Sequence, residues 1–174
     1  MAASLHKVKI RQVISRTVIT VTPETPISNA VAIMVSSRIS CLVVAEGEKP
    51  LGIFTERDVV KGASRGLAFD SRPIREIMTS PVVTIPGSLN LYEAYNLLLT
   101  NSIRHHVVVD RDGKVTGVLS QSDLIDHLGL EYFVEMRKIE QIMSTVVVTV
   151  AADMPVREVI GRMAGGKISC VIDQ

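Results

Sequence analysis

One stretch of this sequence is written three times. Ile10 opens IRQVISRTVITVTPETPISNAVAIM, Ile74 opens IREIMTSPVVTIPGSLNLYEAYNLL and Ile139 opens IEQIMSTVVVTVAADMPVREVIGRM, at spacings of 64 and 65 residues. A fixed period of this length marks a repeated supersecondary unit and limits the folds open to the chain. Ile39, Ile103 and Ile168 keep nearly the same offsets, with one residue of slack between Glu46 and Gly52, so the register holds through each unit.

Each unit begins with a β-branched segment carrying a Thr: Val18 to Val21, Val82 to Ile85 and Val146 to Val150. Such runs bounded by Pro or Gly read as strands. Apolar residues at helical spacing follow, as Ile27, Ala30, Val31 and Met34, then Leu91, Ala94, Tyr95 and Leu98, then Val156, Val159, Ile160 and Met163. Each stripe predicts a helix packed on a sheet, with Pro26 and Pro155 in the first turn, where a missing N–H costs nothing. Leu42 to Val44 and Val107 to Val109 are continuously apolar, as in strands buried on both faces, and turns at Gly47 and at Asp112–Gly113 fold them into hairpins.

The hairpin partners carry a second repeated element, GIFTERD over Gly52 to Asp58 and GVLSQSD over Gly117 to Asp123. A hydroxyl and a carboxylate three residues apart at a helix start have two uses. They cap the helix, or they hold a sugar hydroxyl while the helix N–H groups face a phosphate. The residues alone leave both open.

The complete unit is thus strand, helix, hairpin, helix. One copy of about 60 residues is marginal alone, which makes pairing of two physically sensible. Gly62 to Pro73 reads as a linker. From Asp123 a helical stretch runs through Phe133 and Met136 to Met143, interrupted near Gly129. The third unit has its first strand, helix and ISC strand but no counterpart of GIFTERD, so a sheet edge stays open for another strand. We expect repeats over residues 8–66 and 72–130, with a partial third over 137–174.

Nearly half the residues are apolar, Trp is absent, and the formal charge is +1. A charge this small gives no case for nucleic acid or an anionic membrane, and no segment suggests a membrane span or a signal peptide, so a cytoplasmic location is expected. Cys41 and Cys170, in matching apolar strands, read as small buried thiols. His105 and His106 are adjacent on a strand and point to opposite faces, which argues against a shared metal ion. No phosphate-binding Gly-rich loop, HExxH or GxSxG occurs, so no enzyme is expected.

The joint recurrence of these elements over nearly the whole chain resembles the cystathionine-β-synthase (CBS) domain, a small regulatory repeat that pairs into Bateman modules. The resemblance implies an α+β fold of tandem strand-helix-strand-strand-helix units with small mixed sheets, paired about a pseudo-twofold axis. It implies clefts for an adenosine-containing ligand, AMP, ADP, ATP or S-adenosylmethionine, with no required cofactor. By this resemblance Asp58 and Asp123 bond ribose hydroxyls, assisted by Thr55 and Ser120. Thr79, Thr84 and Ile103 complete the Asp58 cleft, and Ser15, Thr20 and Ile39 complete the Asp123 cleft. Arg104 and His105 fall where several members send basic side chains to phosphates, whereas the first repeat has Ser40 and Cys41. The clefts are therefore not equivalent. Arg57 is a second positive group for the Asp58 site or a solvated surface residue. His106 and Val107 depart from the family pattern. The expected partners are a second copy, through the repeats, and an output domain beyond Gln174; an alternative is a ligand-free dimerisation or interaction module.

Overall fold

The computed structural model describes residues 7–15, 17–132, 139–141 and 143–173. Its first repeat contains β1 (Thr20–Val21), α1 (Ile27–Ser37), β2 (Cys41–Glu46), β3 (Lys49–Thr55) and α2 (Glu56–Ser64). The second contains β4 (Thr84–Pro86), α3 (Leu91–Asn101), β5 (His105–Val109), β6 (Val115–Ser120) and α4 (Gln121–Tyr132), and the third β7 (Thr149–Val150), α5 (Val156–Gly166) and β8 (Ile172–Asp173). A single 3-10 turn precedes each, at Ile10–Gln12, Ile74–Glu76 and Ile139–Gln141. The fold is α+β, as expected.

Its sheets are small, in the orders β1-β2-β3, β4-β5-β6 and β7-β8; β4-β5-β6 is mixed and β7-β8 is parallel. In each, the opening strand runs parallel to the strand after the helix, as in Thr20 beside Val43, Thr84 beside Val107 and Thr149 beside Ile172. β5 and β6 form an antiparallel hairpin whose register shifts between Val108 and Val109. Leu42, Val43 and Val44 are buried, as are Val107 and Val108, in keeping with strands covered on both faces.

All three sheet-facing helices end alike. Arg38, Ser102 and Lys167 take the left-handed conformation, with φ of 53°, 52° and 52°, and the next N–H turns back onto the helix: Ile39 to Met34 O, Ile103 to Leu98 O and Ile168 to Met163 O, at 3.0, 3.1 and 3.1 Å. This is the Schellman closure, made here without the glycine that usually occupies its left-handed position. It fixes where Ile39 and Ile103 leave their helices.

The described chain divides into two compact units that cut across the repeats. One draws on Met1–Pro23, Leu42–Ile53 and Thr79–Glu135, the other on Glu24–Cys41, Phe54–Met78 and Met136–Gln174. An exchange explains the division. In the first unit the opening turn of repeat one lies on the start of α3: Ile10 N–H donates to Leu89 O at 2.9 Å and Leu91 N–H to Val8 O at 3.1 Å. Ile10 there joins Ile85, Leu91, Ala94, Leu98, Val108, Leu119 and Leu124 in one buried cluster. In the second unit the opening turn of repeat two lies on the start of α1: Ile74 N–H donates to Thr25 O at 2.8 Å and Ile27 N–H to Arg72 O at 2.9 Å. Arg75 adds an ion pair with Glu24. Each repeat thus lends its first turn to the other's helix.

Several local expectations are corrected. The opening strands start later than the apolar runs, and Pro26 and Pro155 sit at the N-cap, one position before the first turn. α2 continues to Ser64, so Gly62 is helical and not the start of a linker. It is buried there, and a Cβ would meet Phe69 and Ile77 at 3.0 and 3.3 Å. α4 passes through Gly129 without interruption. Phe133 and Met136 lie outside the described residues, and beyond them the described chain resumes as the 3-10 turn rather than a continued helix. Cys170 is exposed and Cys41 only half-buried, because neither strand end is fully covered. In the third repeat the helix stripe packs weakly: α5 contains no buried residue.

Truncating Ile74 to Ala removes a fully buried side chain at an exchange contact and should cost about 2–5 kcal/mol of stability. Ile139→Ala, at the matching but exposed position of the third repeat, should change it by less than about 0.5 kcal/mol. Urea unfolding of both variants checks this, and equal losses would contradict it.

Candidate functional site

Both hydroxyl–carboxylate motifs fold at a strand-to-helix junction, and in both the carboxylate reaches back to cap its own helix. Asp58 Oδ2 accepts from Thr55 N–H at 2.9 Å and from Thr55 Oγ1 at 2.8 Å. Asp123 Oδ2 accepts from Ser120 N–H and Oγ, both at 2.7 Å, and Asp123 N–H donates to Ser120 Oγ at 3.1 Å. The capping role is therefore real in both repeats. It uses Oδ2 at each site and orients the carboxylates rigidly.

The two sites differ in their surroundings. Asp58 is buried, and burial pushes its carboxyl above the ordinary range, opposed by the Thr55 hydrogen bonds and the nearby charges of Lys61 and Arg57. Arg57 itself is exposed. Asp123 is half-buried and has Arg104 and His105 in its own repeat for company. His105 pairs across the hairpin with Ser120, and Gln121 N–H donates to Arg104 O at 2.9 Å. Burial lowers the His105 pKa, Arg104 lowers it further, and Asp123 raises it. The structure thus gathers Arg104, His105, Ser120 and Asp123.

The opening segments of the repeats reach the motif strands. Thr79 bridges Ile53 on β3, with N–H to O distances of 2.9 and 3.0 Å in the two directions. Ser15 bridges Val118 on β6, its O accepting from Val118 N–H at 3.2 Å. A glycine makes the second approach feasible: a Cβ on Gly117 would lie 2.4 Å from Ile14 Cδ1 and 3.0 Å from Ser15 O. Thr20 lies on β1 and Thr84 on β4, both exposed, and Ile103 follows the α3 cap. Ile39, Thr55, Arg57 and Asp58 belong to the second compact unit, and the remaining candidates to the first.

Two features escaped the sequence reading. A groove of about 630 Å³ runs along α1 and α2, lined by Val35, Arg38, Ile39, Glu56 and Val60 among others; Val35 and Val60 could have signalled it as apolar residues off the core stripe. His106 is fully buried, and among the described residues neither ring nitrogen has a hydrogen-bond partner. It stands where the first repeat has Leu42. No cluster of His, Cys, Asp or Glu among the described residues is arranged to hold a metal ion, and no helix among them is long and apolar enough to cross a membrane.

The first two α+β repeats, each carrying a capped hydroxyl–carboxylate motif and each crossed by the other's opening segment, define a paired-repeat module. The chain belongs to the CBS domain family, whose model matches residues 10–65, 74–130 and 139–173. A protein of Methanocaldococcus jannaschii has the same fold over 96% of this chain and 66% of its own, with a TM-score of 0.83 at 22% identity. A CBS domain protein of Pyrobaculum aerophilum, solved in complex with AMP, matches 74% of this chain and all of its own with a TM-score of 0.66 at 22% identity. The inosine-5'-monophosphate dehydrogenase of Thermoplasma acidophilum is 34% identical over 116 residues, 65% of this chain, but the match spans only 22% of that enzyme.

Burial holds the His106 pKa below its ordinary value. The unfolded chain therefore takes up a proton near pH 6.5 that the folded chain resists, and stability present above that pH is lost as pH falls. His105 acts in the same direction. Replacing His106 by Leu should remove up to about 1.4 kcal/mol per pH unit from the slope below about pH 6.5. Urea midpoints at several pH values measure it; an unchanged slope would show that His106 titrates normally.

Proposed function

We propose that this chain is a non-catalytic regulatory module that binds an adenosine-containing ligand, with AMP, ADP or ATP favoured and S-adenosylmethionine a further candidate. The observation that carries the reading is the meeting of each motif strand with the other repeat's opening segment, Thr79 on Ile53 and Ser15 on Val118. Each capped carboxylate keeps one oxygen outside its cap hydrogen bonds, suited to the vicinal hydroxyls of a ribose, which can only donate to it. Arg104 and His105 supply positive or hydrogen-bonding groups for a phosphate near Ser120 and Asp123. The Pyrobaculum aerophilum complex with AMP supports the ligand class.

A ligand touching both repeats stabilises one arrangement of them by its differential affinity, which is how such a module would signal. The output is an attached or partner domain. A module that matches 22% of a dehydrogenase is consistent with an attached one. Asp58 binds ribose as the carboxylate, so affinity at that site should weaken as pH falls through its raised pKa.

A second reading is favoured by the caps. Thr55–Asp58 and Ser120–Asp123 already have structural employment, which suits a ligand-free interaction module that dimerises through its repeats.

Thermal unfolding with AMP, ADP, ATP and S-adenosylmethionine separates the two. Ligand at about a hundred times its Kd should add roughly 2.7 kcal/mol and raise Tm by roughly 5–10 °C. Asp58→Ala or Asp123→Ala should abolish the shift of the site it belongs to, at a capping cost of about 1 kcal/mol. A folded protein that responds to none of the ligands would favour the interaction module.

A further inference from the structure

The groove along α1 and α2 has apolar walls and one charged end. On α1, Val31, Met34, Val35 and Arg38 stand at i, i+3, i+4 and i+7 and line one side. On α2, Glu56, Val59 and Val60 stand at i, i+3 and i+4 and line the other. Arg38 follows the last residue of α1, and Glu56 is the first of α2. The Glu56 N–H donates to Ser40 O at 3.3 Å, which places both charges at the same end of the groove. Among the described residues no ion pair joins Arg38 to Glu56, and neither has one elsewhere. The groove belongs wholly to one compact unit.

The charged pair is particular to the first repeat. At the same offsets the second repeat has Ser102 and Gln121, both neutral, beside Leu98, Leu99 and Ile125. The apolar walls recur and the charges do not, so packing of the repeat does not call for them. Arg38 also stands at a φ of 53°, a conformation that glycine takes more readily.

Charge narrows what fits. A fatty acid would pair its carboxylate with Arg38 but face Glu56, and an alkylammonium would face Arg38. An apolar protein helix would take both charges out of water without partners. A head group carrying both signs satisfies both, with an apolar tail laid toward Val31, about 10 Å along α1 from Arg38. The volume of about 630 Å³ is that of a small-molecule site. We infer that this groove binds a free apolar α-amino acid, with its carboxylate on Arg38, its ammonium on Glu56 and its side chain between Val35 and Val60. The site uses neither Asp58 nor Asp123 and stands apart from the adenosine reading.

Amide NMR spectra of the whole chain test it, with L-leucine, L-methionine and L-phenylalanine as probes titrated to about 20 mM, enough to detect a millimolar Kd. Binding should shift amides of α1 and of the first turn of α2. The methyl ester of the bound amino acid lacks the carboxylate and its N-acetyl form lacks the ammonium; each should bind at least about fivefold more weakly. Arg38→Gly removes the guanidinium at a position that suits glycine, so the chain stays folded, and should weaken the free amino acid by a similar factor. Glu56→Gln should bring the N-acetyl form level with the free amino acid, an exchange of preference that a merely structural effect would not produce. The inference is overturned if none of the three probes binds. It is equally overturned if the ester and N-acetyl forms bind the parent chain as well as the free amino acid does.

Discussion

The exchange of opening turns is the interaction on which the rest depends. A repeat of about 60 residues buries too little apolar surface to be secure alone. Ile10 cannot be covered by its own repeat; it fills the cluster around Leu91, Leu98 and Leu119 in the next one. Ile74 repays the loan at the start of α1. The hydrogen bonds at these helix starts do a second job, because the first N–H groups of a helix have no intrahelical acceptor. Leu91 and Ile27 find theirs on the lent segment, so apolar burial and N-terminal satisfaction arrive together. A change that frees one opening turn exposes an isoleucine and orphans a helix end at once.

The same segments run on from the exchange to the motif strands. Ile10 and Ser15 are five residues apart, as are Ile74 and Thr79, so a turn anchored on one repeat's helix delivers a hydroxyl residue to a motif strand at Val118 or Ile53. The distance from packing to site is short and its backbone is hydrogen-bonded at both ends. Gly117 shows how tight the fit is, since any side chain there would collide with Ile14. On the proposed function, ligand occupancy at the motif would be linked to the pairing of repeats through about one turn of chain. Such a link is what a module that reports binding requires.

Much of this was legible because repetition multiplies weak signals. One Ile-Arg pair or one Thr-x-x-Asp means little, but their recurrence at constant offset located the helices, hairpins and family. Helix starts at Ile27, Leu91 and Val156 followed from the apolar stripe. What stayed hidden was of two kinds. Helix ends gave no local cue, because Arg38, Ser102 and Lys167 occupy a left-handed position where glycine would have signalled it. Burial gave no cue either: Ile74 and Ile139 look alike in sequence, and only the presence of a receiving helix distinguishes a core residue from an exposed one. The capping and binding readings of Asp58 and Asp123 could not be separated by pattern, since both want the same residues at the same spacing.

The two motif sites differ in burial and in where their neighbouring cations come from. Asp58 is the more buried carboxylate, and its compensating cations, Lys61 and Arg57, come from its own helix. Asp123 is more open, and its neighbours Arg104 and His105 come from the hairpin's first strand and the residue before it. A charge on the same helix follows the carboxylate through any rearrangement, whereas one on a neighbouring strand depends on the hairpin holding its register. That hairpin carries His106 in its interior without a hydrogen bond among the described residues, where the first repeat has leucine. Protonating His106 would place a buried charge one residue from His105, in the strand that faces Ser120 across the hairpin.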